Sequence, residues 1–411
     1  MNREEAVVHS MPRCRVLHTA KRWVFFFSVC VFFLGEFFFA SQTASAAIPS
    51  KKPFFVRVLV AEERTYLDIT AKYGATLRLL PSNRTTQAPV GSPLHGRLVP
   101  TSNGFRFGKE ELLCQAISIE PARDRELFLD DTRFRGIVNI YKAKNGLMFA
   151  TNHLDIESYL YGVLHHEVAP WWPMEALKAQ AVAARSYAYY QAQVRKSSEY
   201  DVKSGTSSQM YGGSTTERFR SKRAVDHTAG QILAYQGKVF PAYFHATCAG
   251  VTAGARELWR INLPPLAGGV KCDYCRLSPH YYWQAKVPLS LMEEKLKQSG
   301  HPVGQALKIE PVTQTPSGRV GRLKITGTEQ EAVIAAKDFR VLVGGDLIRS
   351  TLFTVEVKDD AVEFHGKGWG HGVGLCQWGA LGQSLIGKSY KDILKFYYPG
   401  STIINYRESK M

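Results

Sequence analysis

Apolar and polar residues alternate over residues 54–60 (FFVRVLV), the period of a strand with one buried face. Short apolar runs between polar breaks recur at 77–80, 104–107 and 136–141, so residues 53–150 read as strands and turns. The period then changes. Residues 154–168 lead into the clearest helical stretch, Met174–Val194, which is rich in Ala and holds neither Gly nor Pro, with Pro173 at a first-turn position. Ala176, Ala179, Ala183 and Tyr187 repeat along it at helical spacing, which predicts one closely packed face. From there to about residue 245 the chain reads as irregular loops closed by strands at Gln231–Tyr235 and 239–245. A Cys/His-rich segment follows at 245–283, then a charged helix at Leu289–Gln298 and further strands to 355. A Gly-rich loop, 366–374, runs on toward a helix near Tyr390–Tyr397. Neither repeats nor low-complexity linkers interrupt this order. The pattern predicts an α+β fold: a single large interleaved domain, mostly strands and loops around one long Ala-rich helix. Its parts are an N-terminal segment 1–46, a β-rich part 47–150, and a continuous remainder 151–411.

Composition adds two restrictions. With 45% hydrophobic and 12% aromatic residues in 411, the chain can bury a large core and is not of disordered type. Its first 46 residues read as a signal peptide. Arg13, Arg15, Lys21 and Arg22 precede an apolar run at 23–34, and Ala44-Ser45-Ala46 offers small residues for cleavage. The alternative is an uncleaved anchor, extended past Glu36 by residues 37–39, and then the only membrane association. Both readings place the body of the protein outside the cytoplasm. The net charge of +16 is dispersed along the chain, and only five Lys/Arg against three Asp/Glu fall in the first 46 residues. For an exported protein that charge suits an anionic polymer or lipid surface, and no nucleic-acid motif accompanies it.

The candidate chemistry falls in two places. Glu167 stands just before Pro170-Trp171-Trp172-Pro173, the pair of indoles that opens the long helix. Burial beside indoles disfavours a charged carboxylate and raises its pKa, as a general acid near neutral pH requires. An ordinary surface acid near a helix N-terminus is the plainer reading. The second place is His245-x-x-Cys248 with Cys272-x-x-Cys275 and His280. This is the spacing of a tetrahedral zinc site, with Cys248, Cys272 and Cys275 as three ligands and His245 or His280 as the fourth. Such zinc would be structural, since four protein ligands leave no position for water. A Cys272–Cys275 disulfide or redox pair is the rival in an exported protein, although five cysteines beyond residue 46 are an odd count for a disulfide framework. Residues 382–389 (GQSLIGKS) match the P-loop string, but they follow a Gly-His-Gly loop and read as a helix ending at Gly387. No nucleotide cofactor is expected.

Four stretches together resemble the SpoIID/LytB family. They are YLYGVLHHEVAPWWPMEALKAQAVAARSYA from Tyr159, SQMYGG from Ser208, FHATCAG from Phe244 with Trp259 beyond it, and GWGHGVGLCQWGA from Gly368. The ending ILKFYYPGS also resembles the family's, and the likeness covers roughly residues 54–406. Cys376 stands where the family usually has Ser, and Ala249 where it has Gly. The resemblance implies that 151–411 is the catalytic part of a lytic transglycosylase. Such an enzyme cuts the MurNAc–GlcNAc β-1,4 bond of peptide-stripped peptidoglycan strands without water and leaves 1,6-anhydro-MurNAc ends. It implies Glu167 as acid and base; Trp172, Gln209, Tyr211, His371 and Gln377 read either as binding or positioning glycan or as only shaping their loops. Gln180 and Arg185 then knit the core around Glu167. A structural zinc is also implied without its ligands being fixed, as is work alongside a peptidoglycan amidase in the periplasm or wall space. The other implied role is a non-catalytic amidase enhancer that binds glycan.

Overall fold

Two mostly antiparallel sheets occupy the first third of the described chain, as the alternating pattern requires. The computed structural model describes residues 53–408 except 81–83, 88–92 and 125. The signal-peptide and anchor readings lie outside the described residues. One sheet has seven strands, in the order Val202–Lys203, Phe55–Arg64, Met148–Asp155, Ile137–Lys142, Ala116–Pro121, Ala75–Leu80, Arg84–Gln87. The other has six, running from Thr132–Phe134 to Glu110–Leu112. Val56, Val58, Ile69, Leu98, Ile117, Ile140 and Ala150 from both sheets share one buried core.

Two helices close that core. Helix α1, Ile156–Glu167, begins where Asp155 accepts hydrogen bonds from the Glu157 and Ser158 amides, satisfying two N-terminal donors. Helix α2 spans Met174–Val194, the bounds the Ala-rich pattern predicts. Its small residues are buried on two sides. Ala176, Leu177, Ala181 and Ala184 pack on the sheet core, while Ala179, Val182 and Ala183 pack on a second core built from Cys248, Cys272, Cys275, Cys376, Leu375 and Tyr397. That double burial is why Ala recurs along both packed sides of the helix.

A third core, including Trp283, Val287, Met292, Leu323, Phe339 and Phe364, belongs to two three-stranded sheets with the helices Leu289–Gln298 and Ala336–Val343. The mixed architecture agrees with the α+β expectation, and the described residues form one compact unit. The loop expected between residues 195 and 245 contains a helix, Phe219–His227, that the pattern did not predict. Its sequence, FRSKRAVDH, presents only Ser221, Ala224 and Val225 as buried residues, too short an apolar stripe to register. Residues 382–389 are helix to Leu385 with Gly387 at φ 82°, so the P-loop string forms a helix end. Among the described residues no helix is long and apolar enough to cross a membrane.

Candidate functional site

Glu167 is the last residue of α1. The negative end of the helix dipole therefore adds to whatever burial does, contrary to the helix N-terminus considered in the sequence. The half-buried side chain has two neutral donors. Oε1 accepts from the Met210 amide at 2.9 Å, and Oε2 from Gln377 Nε2 at 3.4 Å. No ion pair to Glu167 exists among the described residues. Burial pushes its carboxyl up to about 7, and the two donors oppose that rise without cancelling it.

Each neighbour reaches Glu167 for a local reason. Gly162 on α1 has no side chain, and a Cβ there would lie 2.6 Å from the Gly213 carbonyl and 2.7 Å from the Tyr211 ring. The SQMYGG loop therefore lies directly on α1, bonded from the Gly212 amide to the Gly162 carbonyl at 3.2 Å. Gln209 is fully buried, accepting from Tyr159 Oη at 2.9 Å and donating to the Ala184 carbonyl at 3.2 Å. Tyr211 is also buried and donates to Asn152 Oδ1 at 2.8 Å. These two residues, expected to bind or position glycan or else to shape the loop, spend their polar groups inside the protein and hold the Met210 amide on Glu167. That backbone donor between them was not foreseen from the sequence, since a motif shows side chains only.

Gln377 comes from the other end of the chain. Phe244–His245 pairs in parallel with Leu375–Cys376, and Gly374 (φ 72°) permits it, since a Cβ would lie 2.1 Å from the Tyr243 carbonyl. The helix Gln377–Leu385 starts there, placing Gln377 at the carboxylate. The next residue, Trp378, meets Trp172 edge-to-face at 5.3 Å. Trp172 is buried, whereas Trp171 is 69% exposed. Arg220 braces this turn by donating to the Pro170 and Trp172 carbonyls, both at 3.0 Å.

His371 is placed elsewhere than at the Glu167 carboxylate. Its Nδ1 accepts from the Val373 amide at 3.0 Å, and its ring meets Trp259 at 5.1 Å, His245 at 5.6 Å and Tyr243 at 6.1 Å. Burial, then Arg340 and Arg319, hold it down to about 3, so it stays neutral. Tyr243 in turn meets Tyr187 at 5.8 Å, completing an aromatic cluster not singled out in the sequence. Arg185 does knit the core, but around Glu157 rather than Glu167: Nε and Nη2 donate to Glu157 Oε2 at 3.1 and 2.6 Å. Gln180 is buried with no hydrogen-bond partner for its amide among the described residues.

The cysteine cluster corrects the expected ligand set. Cys248, Cys272, Cys275 and Cys376 are all buried, and their sulfurs lie within 4.8 Å of one another. Neither histidine joins them. His245 hydrogen-bonds the Val373 carbonyl at 3.1 Å, and His280 meets Trp369 edge-on at 4.3 Å and Arg349 Nη1 at 3.3 Å. Cys272 and Cys275 are free thiols, so they form no disulfide. The thiol that spacing missed had a signal: Cys376 is a fourth cysteine, at a family position usually held by Ser. The neighbouring Ala249, in place of Gly, sits at φ 60°, the left-handed region that Gly adopts most easily.

Fold and site together define an α+β protein with a lone acid at a helix end beside a four-thiol cluster. The stage II sporulation protein family matches residues 144–235, and a domain of unknown function matches residues 275–374. Stage II sporulation protein D of Bacillus amyloliquefaciens is 31% identical over 281 residues, covering 65% of this chain and 78% of that protein. An uncharacterized protein of Brachyspira hyodysenteriae is 40% identical over 265 residues, 64% of this chain and 70% of that one. The amidase enhancer of Bacillus subtilis is 28% identical over 296 residues, which are 60% of this chain but 40% of the enhancer's length. The chain belongs to the stage II sporulation protein D family.

The raised carboxyl has a consequence for stability. A carboxyl whose folded-state pKa lies above its unfolded value of 4.5 costs stability as pH rises from that value through about 7. Glu167→Gln lacks this cost. Its unfolding free energy relative to wild type is expected to grow by up to about 3 kcal/mol between about pH 4 and about pH 8. Urea denaturation of both proteins at the two pH values measures it, and a pH-independent difference would contradict the assigned rise.

Proposed function

We propose that this protein is an exported lytic transglycosylase that cleaves the MurNAc–GlcNAc β-1,4 bond of peptide-stripped glycan strands. The observation that carries the reading is Glu167, a half-buried carboxyl held near 7 with only neutral hydrogen-bond donors on it. No other acidic side chain figures among the groups that shift it. Ordinary glycosidases work with two carboxyl groups about 5–10 Å apart, one of them supplying a nucleophile or activating water. A single acid suits a reaction in which the substrate supplies its own nucleophile.

In that reaction protonated Glu167 gives its proton to the glycosidic oxygen as the C1–O bond breaks. The C6 hydroxyl of the same muramic acid then bonds to C1, and Glu167, now a carboxylate, takes the hydroxyl proton. The enzyme returns to its starting state, and no water is consumed. Gln377 and the Met210 amide hold the carboxylate between the two transfers. The chain's positive charge suits strands from which an amidase has removed the peptides, exposing lactyl carboxylates. The relation to the amidase enhancer favours the same partnership, and a non-catalytic enhancer is the second reading.

The test is to incubate the purified protein with amidase-stripped strands and analyse products by mass spectrometry. Anhydro-muramic ends from wild type, and none from a folded Glu167→Gln that still binds strands, are expected. Equal binding by both proteins with no product from either would favour the enhancer.

A further inference from the structure

We infer that Cys248, Cys272, Cys275 and Cys376 bind one soft divalent cation, zinc foremost, as a closed site that fixes the start of the Gln377 helix and so the donor on Glu167. The metal half stands on the thiols alone, while the positioning half rests on the transglycosylase reading. Cys248 and Cys275 sulfurs are 3.6 Å apart. Zn–S bonds in a tetrahedron put sulfurs about 3.8 Å apart, so with all four sulfurs within 4.8 Å of one another no pair need close by more than about 1 Å. Four sulfur ligands select zinc over harder cations such as magnesium or calcium.

Hydrogen-bond donors face two of the sulfurs. Cys376 Sγ accepts from the Cys248 and Gly379 amides at 3.3 and 3.4 Å, and Tyr397 Oη lies 3.0 Å from Cys272 Sγ. Such donors orient metal-bound sulfur. Arg319 is 2% exposed, and it donates from Nη2 to the Cys248 carbonyl at 3.0 Å. Its Nε and Nη1 have no hydrogen-bond partner, and it forms no ion pair among the described residues. A buried cation needs a counter-charge. Four thiolates around a divalent ion carry a net charge of −2, and Arg319 beside them offsets part of it.

The cluster joins pieces distant in sequence. Cys272 and Cys275 flank a short turn, Cys248 follows the strand Phe244–His245, and Cys376 caps the Gln377 helix. Gly379 keeps that helix close, since a Cβ there would lie 2.8 Å from Cys272 Sγ. With Cys376 held by the ion, Gln377 has little freedom to leave Glu167. Cys376 and Gln377 are thus positioning residues.

Elemental analysis of the purified full-length protein, reconstituted with zinc, decides the metal half. About one zinc per chain is expected, and cobalt replacement should give the intense visible bands of tetrahedral thiolate coordination without any mutation. Zinc below a tenth of an equivalent, or cobalt bands of oxygen coordination, would overturn it. Cys376→Ser should lose the metal, and Cys376→His should recover it. Retention of one tightly held equivalent by Cys376→Ser would overturn the ligand set. For the positioning half, kcat and KM on stripped strands are compared for Cys376→Ser, Gln377→Ala and the double variant. All three should lose about tenfold in kcat with KM unchanged, because they break one contact. Multiplying losses in the double variant would overturn the positioning role. An inactive wild type would sink the transglycosylase reading and leave the metal result standing.

Discussion

Glu167→Gln is expected to lower turnover on stripped glycan strands by roughly 10²–10⁴-fold, the range that proton transfer by one positioned group supplies. The amide keeps the shape of the carboxyl and can still meet Gln377 and the Met210 amide. It can neither donate the proton that the leaving oxygen needs nor accept the one that the C6 hydroxyl must lose. Strand binding should survive, so the loss falls on kcat. Wild-type kcat/KM should fall as pH rises through about 7, because the proposed reaction starts from the protonated acid. A variant within a few-fold of wild type, or a rate that climbs steadily through pH 8, would point to another acid.

Glu157→Ala is expected to destabilise the protein by about 3–5 kcal/mol, the cost of leaving a buried charge without its partner. Arg185 is fully buried and gives two hydrogen bonds to Glu157 Oε2, with others to the Gln231 and Val225 carbonyls at 3.1 and 3.2 Å and to Thr228 Oγ1. Glu157 Oε1 accepts from the Gly230 amide at 2.9 Å and from Arg407 Nη2 at 3.2 Å. The pair therefore joins α1, α2, the strand Gln231–Tyr235 and the C-terminal residues. Removing the carboxylate strands both the guanidinium and an amide. Thermal or urea unfolding reads the loss, and a change below about 1 kcal/mol would show that water or Arg185 repacking relieves the site.

Local pattern carried the parts of the fold that depend on local physics. The Ala-rich run gave α2 to the residue, because unbroken helix formers with small spacing admit one structure. The charged helix Leu289–Gln298 was equally plain. Partners distant in sequence were not legible. Gln377 and Glu167 are 210 residues apart, and the pairing of Phe244–His245 with Leu375–Cys376 leads the Gln377 helix to the acid. The same pairing supplies Cys376 to the thiol cluster, whereas C-x-x-C spacing directed attention to His245 and His280. Gln209 and Tyr211 show the converse limit: a motif names residues without saying which face the core and which offer a backbone amide between them.

In the proposed reaction one carboxyl serves as acid and then base while the sugar attacks itself. Digestion of stripped strands in water enriched with oxygen-18 tests it at the bond concerned. Unlabelled muramic termini are expected, each lighter by one water than a hydrolysed end. Reducing termini carrying the heavy oxygen would mean that solvent attacked the anomeric carbon, and the single-acid mechanism would fall.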